Sequence, residues 1–555
     1  MRGFSLMRRS GVLLALMIWV YGGDAMGQRL DYSEAADPMS LSPLNTKFAV
    51  DARFSDLIFN RLIGFDEFQR PKAELLESLD PVEVSEDSLS YTFQLKKKVM
   101  WHRFKKRGQT FPEKELTADD VVFTYEVLKD SRTDTDKKSI IEVFRDVLPV
   151  GRYKVQFRLN RSVGDVRNYF FFPILPRHVF PPNTKFLSSL DDFGRRFVVG
   201  TGPYVFRGWS LSKSIALRWN KRYFKEWPEL IDESFRRIED IEMHVNRDQN
   251  SAKESLLEGG LDLIPLVVPT HYPELRNNVD INIFPYNPRS VMYLAYNNKH
   301  KFFKIKKVRQ ALTFATGRKR MWEHIYGAAL AEEIELNILS GPFPKGEGDP
   351  DIAPREYDPE RARSLLRSAG FSYTKKDSTA YFTEGGIKEK FSITLKAFGQ
   401  YEDTRRICEY YQDDLSKVGV EVKLNFIPKE RLKIEVLEKK RFDVALLVYS
   451  FGPGQDIVED LFSQAAMRPG RNNITSYTSP QIEALLQENR LTGDPEVKEE
   501  NKRKMHRILF EDCPGTFLFS MDSVAAYRND KLGGVEIHPF NFFAYITDWY
   551  YIEEY

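Results

Sequence analysis

Two α/β lobes, one of them carrying an additional α+β subdomain, are what the 555 residues predict. Three observations lead there. The chain is longer than one hydrophobic core supports. Two separate stretches, 241–268 and 391–449, run strand, helix, strand in the manner of βαβ units. A third stretch, 58–190, alternates strands around a capped helix without such a crossover, which is α+β in style.

In the α+β stretch, Leu89, Tyr91, Phe93 and Leu95 alternate along one strand, and Val155, Phe157 and Leu159 along another. Thr117-Ala118-Asp119-Asp120 caps a helix that puts Val121, Tyr125 and Leu128 on one side. In the first α/β region Ile241, Met243 and Val245 mark a strand, Ser251 to Leu257 a helix stopped by Gly259-Gly260, and Leu261 to Val268 an apolar strand. The helical stripe Ile305, Val308, Ala311, Leu312, Ala315 and the helix opened by Asp358-Pro359-Glu360 are core faces of the second region. Its longer series follows: a strand at Phe391 to Leu395, a helix at Glu402 to Val418, a strand at Val420 to Phe426, a helix at Arg431 to Lys440, and a buried strand at Phe442 to Tyr449. Two consecutive right-handed crossovers of this kind make a small parallel sheet.

Ligands of open α/β sheets sit beyond the carboxyl ends of the strands. That rule singles out Phe398 to Tyr401 and Tyr449 to Asp456, the latter within YSFGPGQD, whose two glycines and proline form a side-chain-poor ledge. Aromatic residues make up 13% of the chain, and Tyr401, Tyr449, Phe451 and Tyr477 follow strands, where their faces suit varied solutes. A second glycine-rich stretch, GTGPYVF at 200–206, is no phosphate loop. Alternating residues follow it through Trp219, and no Lys-Ser or Lys-Thr pair comes after it, so a bend into a hairpin is expected.

The N-terminus carries three arginines, an apolar run of ten residues from Val12 to Tyr21, and small residues placed for cleavage after Gly27. A membrane span needs about 20 apolar residues, so a cleaved secretory signal peptide over 1–27 is expected. The chain has 82 basic and 80 acidic side chains. Without its leader the balance is neutral, which gives no bulk attraction to nucleic acid. Catalytic spacings such as H-E-x-x-H, C-x-x-C and G-x-S-x-G are missing, and the eight histidines stand singly. No catalytic residue, metal ligand or cofactor is therefore assigned. Cys408 and Cys513 could pair or remain buried thiols.

An ordered set of motifs resembles the family 5 extracellular solute-binding proteins, the dipeptide- and oligopeptide-binding subunits of ABC importers. It runs from Leu57-Ile58-Phe59-Asn60-Arg61-Leu62 with Pro71, through Leu116-Thr117-Ala118-Asp119-Asp120-Val121, to Gly200-Thr201-Gly202-Pro203-Tyr204 and Trp219-Asn220. It continues with Val308-Arg309-Gln310-Ala311-Leu312 and Tyr357-Asp358-Pro359-Glu360 through Ala369-Gly370. The resemblance implies a two-lobe periplasmic-binding-protein-like fold of the class II type. Lobe I would be 28–285 plus 518–555, with 58–190 inserted as a subdomain, and lobe II would be 286–517. It also implies a periplasmic, monomeric non-enzyme that encloses a small solute, a peptide or peptide-like compound, and hands it to a permease in the inner membrane. The cleft lining expected on this basis is Tyr401, Arg405, Tyr449, Phe451, Gly452, Asp456 and Tyr477. Peptide binders of the family place an aspartate for the ligand's amino group where this chain has Gly452, and Asp456 is the next acid. That departure keeps open a non-peptide solute such as an oligosaccharide or metal chelate.

Overall fold

The computed structural model describes residues 29–552 except 45, 47, 67–69, 107–108, 112, 134, 136, 164, 181–192, 194–197, 227–234, 287–288, 328–336, 345, 375–378, 453–454, 469, 493 and 521. The expected signal peptide, 1–27, lies outside the described residues. The described residues begin with strand β1 (Arg29–Glu34) and helix α1 (Ala49–Ile58). Strands β2 (Glu83–Val84) and β3 (Ser90–Gln94), helix α2 (Ala118–Lys129), β4 (Phe144–Pro149) and β5 (Lys154–Leu159) follow. They form the α+β unit, an antiparallel sheet in the order β2-β3-β5-β4. Phe93, Phe157 and Phe170 fill its core, with Phe93 edge-on to Phe170 at 5.0 Å between ring centroids. Helix α2 starts where expected, because the Thr117 backbone N–H donates to the Asp120 carboxylate at 2.9 Å.

Next come the hairpin β6 (Tyr204–Ser210) and β7 (Ser214–Trp219), then β8 (Asp240–Val245), helix α3 (Gln249–Leu257), β9 (Leu263–Ile264) and β10 (Ile281–Tyr286). The second region supplies β11 (Ser290–Tyr296), α4 (Lys306–Phe314), β12 (Asn337–Ile338), α5 (Pro359–Ser368), β13 (Ser392–Ala397), α6 (Glu402–Ser416), β14 (Glu421–Phe426), α7 (Lys429–Leu432), β15 (Val444–Ser450), α8 (Ile457–Phe462) and β16 (Gly515–Ser520). The chain then returns with β17 (Ser523–Arg528).

Two large sheets result, in the orders β6-β7-β8-β1-β9-β17-β10 and β12-β16-β11-β15-β13-β14. In the second, β13 runs parallel to both β14 and β15, as the two crossovers require. The first differs from its expected plain βαβ unit. Strand β1 lies between β8 and β9, parallel to both. The apolar stretch 261–268 is a regular strand only over Leu263–Ile264: Pro265 has no N–H to continue the ladder, and the chain rejoins β17 through Val267 N–H to Val524 O at 2.8 Å. The helix expected over 431–440 begins earlier, at Lys429, and continues as a wider π turn over Lys433–Glu438. Strand β16 pairs with β11 as far as Phe519 and belongs to the second sheet up to Ser520, past the expected boundary at 517. The chain passes between the sheets twice, from β10 to β11 and from β16 to β17.

GTGPY anchors the first sheet to its neighbours. A methyl group on Gly200 would sit 1.8 Å from the Ile58 carbonyl oxygen, and one on Gly202 would meet the same turn at 2.5 Å, so only glycine fits against the end of α1. The Gly202 N–H donates to Ile58 O at 2.8 Å. His102 spans the pair: its Nδ1 accepts from the Gly200 N–H at 3.3 Å and its Nε2 lies 2.9 Å from Gly202 O. Burial holds the His102 pKa down to about 4, so the ring is neutral and Nε2 carries the proton.

Candidate ligand-binding site

A cavity of about 180 Å³ lies between the two sheets. Its first wall is built from the carboxyl ends of β1, β8 and β9 and the residues just after them, among them Glu34, Asn246 and Val267, together with the first turn of α1. The facing wall comes from residues following β13 and β14: Phe398, Tyr401, Lys429 and Leu432. All five of these strands are parallel members of their sheets, and each opens to the cavity at its carboxyl end.

Charge on the first wall is internally matched. Arg53 grips Glu34 through two bonds, Nε to Oε1 at 2.5 Å and Nη2 to Oε2 at 2.7 Å. Both side chains are buried. Burial opposes the Arg53 charge, but the Glu34 carboxylate outweighs it and holds the guanidinium pKa above its ordinary value. On the other wall, the Lys429 ammonium lies 3.7 Å from the centre of the Phe48 ring, a contact that crosses the cavity. A second contact between the two sides joins Glu142 of the α+β unit to Arg471 at 2.5 Å and Arg468 at 3.3 Å. The two sides thus touch at these two places.

Of the residues expected to line the cleft, Tyr401 is one of those lining this cavity. Burial, and then the charge of Glu34, raise its phenol pKa. The others lie elsewhere among the described residues. Arg405 is exposed, donates from Nε to Gly399 O at 2.6 Å and rests on Phe426. Tyr449 donates to Asp460 and accepts from Asn472 at 2.6 Å. The Phe451 ring packs on Tyr449 at 4.7 Å and is buried in the core behind β15. The Gly452 carbonyl accepts from Arg289 Nη1 at 3.2 Å, and its N–H donates to Gln455 at 2.8 Å. Asp456 caps α8, accepting from the N–H groups of Val458 and Glu459 at 2.9 and 3.0 Å. Tyr477 is buried and donates to Asp512 at 2.6 Å. Its ring, like that of Phe451, belongs to the core behind β15.

Glu34, Arg53, Phe48 and Lys429 are lining residues that sequence reasoning missed. The available signal was the alternation of Leu30 and Tyr32, which marks β1 and so places Glu34 at a strand's carboxyl end. One group with metal-ligand chemistry exists among the described residues. Asp31, Glu242 and His244 bring donor atoms within 4.8 Å of one another, but Arg29 already pairs with both carboxylates at 2.9 and 2.8 Å. Cys408 and Cys513 are free and buried. No helix among the described residues is long and apolar enough to cross a membrane.

Comparison with known proteins agrees with this architecture. The oligopeptide-binding protein AppA of Bacillus subtilis (strain 168) is 27% identical over 534 residues, covering 95% of this chain and 92% of the relative. The solved structure of AppA from Bacillus subtilis in complex with a nonapeptide superposes with a TM-score of 0.81 at 24% identity, over 95% of this chain and 99% of that one. NikZ from Campylobacter jejuni in complex with Ni(L-His) superposes with a TM-score of 0.76 at 21% identity, over 94% and 99% of the two chains. Residues 70–464 match the family described as bacterial extracellular solute-binding proteins, family 5 Middle, and the chain belongs to that family.

Proposed function

We propose that this chain is the periplasmic solute-binding protein of an ABC importer, capturing a peptide or peptide-like compound between two lobes and delivering it to a membrane permease. Lobe I comprises the described residues up to Tyr286 and from Ser523 onward, with the α+β unit inserted. Lobe II comprises Ser290 to Ser520. The observation that carries the reading is the cavity lined from both sheets at the carboxyl ends of parallel strands. Two connections between the lobes permit hinge closure, and a ligand touching both walls favours the closed form by its differential affinity. Tyr401 and Phe398 form the aromatic wall, and Glu34 is the carboxylate among the lining residues. Binding without turnover, cleavage of the leader near Gly27 and a monomeric state complete the reading.

A non-peptide solute is the second reading. It is favoured by Gly452, which stands where the resemblance places an amino-group aspartate, and by the engagement of Asp456 as a helix cap. Mass spectrometry of solute released by denaturing the protein purified from its native host decides between them. Peptides support the first reading, and sugars or metal chelates in their place overturn it.

A further inference from the structure

Lys429 is a buried cation without a counter-ion. Its side chain opens the short helix after β14, lines the cavity and is only 8% exposed. Among the described residues its ammonium makes no hydrogen bond or ion pair, and its close partner is the face of Phe48. Burial pulls its pKa below the ordinary lysine value. The acids near it, Asp51, Glu430 and Glu34, favour its charge from a distance without pairing with it: Glu34 is held by Arg53, and Asp51 accepts from the Met39 N–H at 2.8 Å. An ammonium held in this way is destabilising until an anion reaches it. The first turn of α1, across the cavity, already carries the buried carboxylate Asp51, so an anion is drawn to the ammonium rather than to that helix start. Around these groups the lining is apolar, with Phe48, Ile264, Val267, Phe398 and Leu432.

We propose that Lys429 receives a carboxylate of the bound solute, so that the ligand is a compact molecule with one free carboxylate and an apolar body, bound with that carboxylate at the Lys429 ammonium. This rests on the solute-binding reading above and specifies its ligand. The carboxylate has two possible sources, the C-terminus of a short peptide or a non-peptide acid. The volume of about 180 Å³ suits a compact occupant, since a cavity of about 150 Å³ holds a benzene molecule.

The test uses the whole mature chain, calorimetry and thermal melting, with Leu-Phe, Phe-Leu and Ala-Phe as free acids, the same dipeptides as C-terminal amides, and 3-phenylpropionate. The expected result is that a free acid binds at least about tenfold more tightly than its amide, because the amide removes the charge Lys429 pairs with. Lys429→Met abolishes that gap by weakening the free acid, while Lys429→Arg retains most of it. If 3-phenylpropionate binds and Lys429→Met removes it while no dipeptide binds, the Lys429 site stands and the peptide reading fails. The proposal is overturned if amides bind as tightly as acids, if the gap survives in a Lys429→Met protein that melts no lower than wild type, or if none of the carboxylate probes binds.

Discussion

The two walls of the cavity handle charge in opposite ways. On the lobe I side, Glu34 and Arg53 satisfy each other through a two-point contact, and the neighbouring GTGPY turn is locked to α1 and His102. On the lobe II side, Lys429 has only an aromatic face, and Gly452 after β15 is tied by Arg289 outside the cavity, with 453–454 outside the described residues. One wall is finished before a ligand arrives, whereas the other is completed by the ligand. The same residue class, a buried cation, is therefore structural on one side and receptive on the other.

Removing each cation gives the sharpest contrast. Arg53→Ala leaves Glu34 buried without a partner and is expected to lower stability by about 3–5 kcal/mol. Lys429→Met removes an uncompensated charge and should leave the urea midpoint unchanged or higher. A loss of similar size in both would dissolve the contrast. The two glycine stretches come next. Gly200→Ala drives a methyl into the Ile58 carbonyl and is expected to cost about 3 kcal/mol. A methyl on Gly452 meets nothing nearer than the end of the Gln455 side chain at 3.4 Å, so Gly452→Ala should stay within about 0.5 kcal/mol.

Lobe I should also carry an acid sensitivity. Because the folded His102 pKa is about 4, below its ordinary value of 6.5, the unfolded chain takes up the proton first as pH falls. Its contribution is whole above about pH 6.5 and is lost progressively toward pH 4, by roughly 2–4 kcal/mol. Urea midpoints of wild type and His102→Gln at pH 7.5 and 5 measure this, and equal slopes would remove His102 from the explanation. The smallest effect is expected where the sides meet. Glu142→Gln weakens partly exposed ion pairs with Arg471 and Arg468 worth about 0–1 kcal/mol. It should shift the open–closed balance seen by small-angle scattering without changing the melting temperature.

How much of this was legible depended on range. The series β13, α6, β14, β15 could be read because each element announces itself locally, by alternation in Phe391 to Leu395 and by the stop at Gly419. Tyr401 was legible by the strand-end rule alone. Strand β1 was harder, since Asp31, Ser33 and Glu34 dilute its apolar side to Leu30 and Tyr32, and nothing local shows that it slots between β8 and β9. Aromatic character after a strand does not reveal which face a ring takes: Phe451 and Tyr477 turn into the core behind β15. The pairing of Glu34 with Arg53, and its lack at Lys429, is a property of the assembled walls. Residue types alone cannot carry it.

The central position of β1 also sets an order of assembly. The first sheet needs β1 at one end of the chain and β17 near the other, and Tyr551 binds back to both Arg29 O and Asp262. The second sheet draws only on residues 290 to 520. Contacts between distant residues form only after the entropy of closing the intervening loop has been overcome. A chain still being delivered can finish the sheet bearing Lys429 before β17 is in place, and β10, which joins the first sheet only through β17, waits for it.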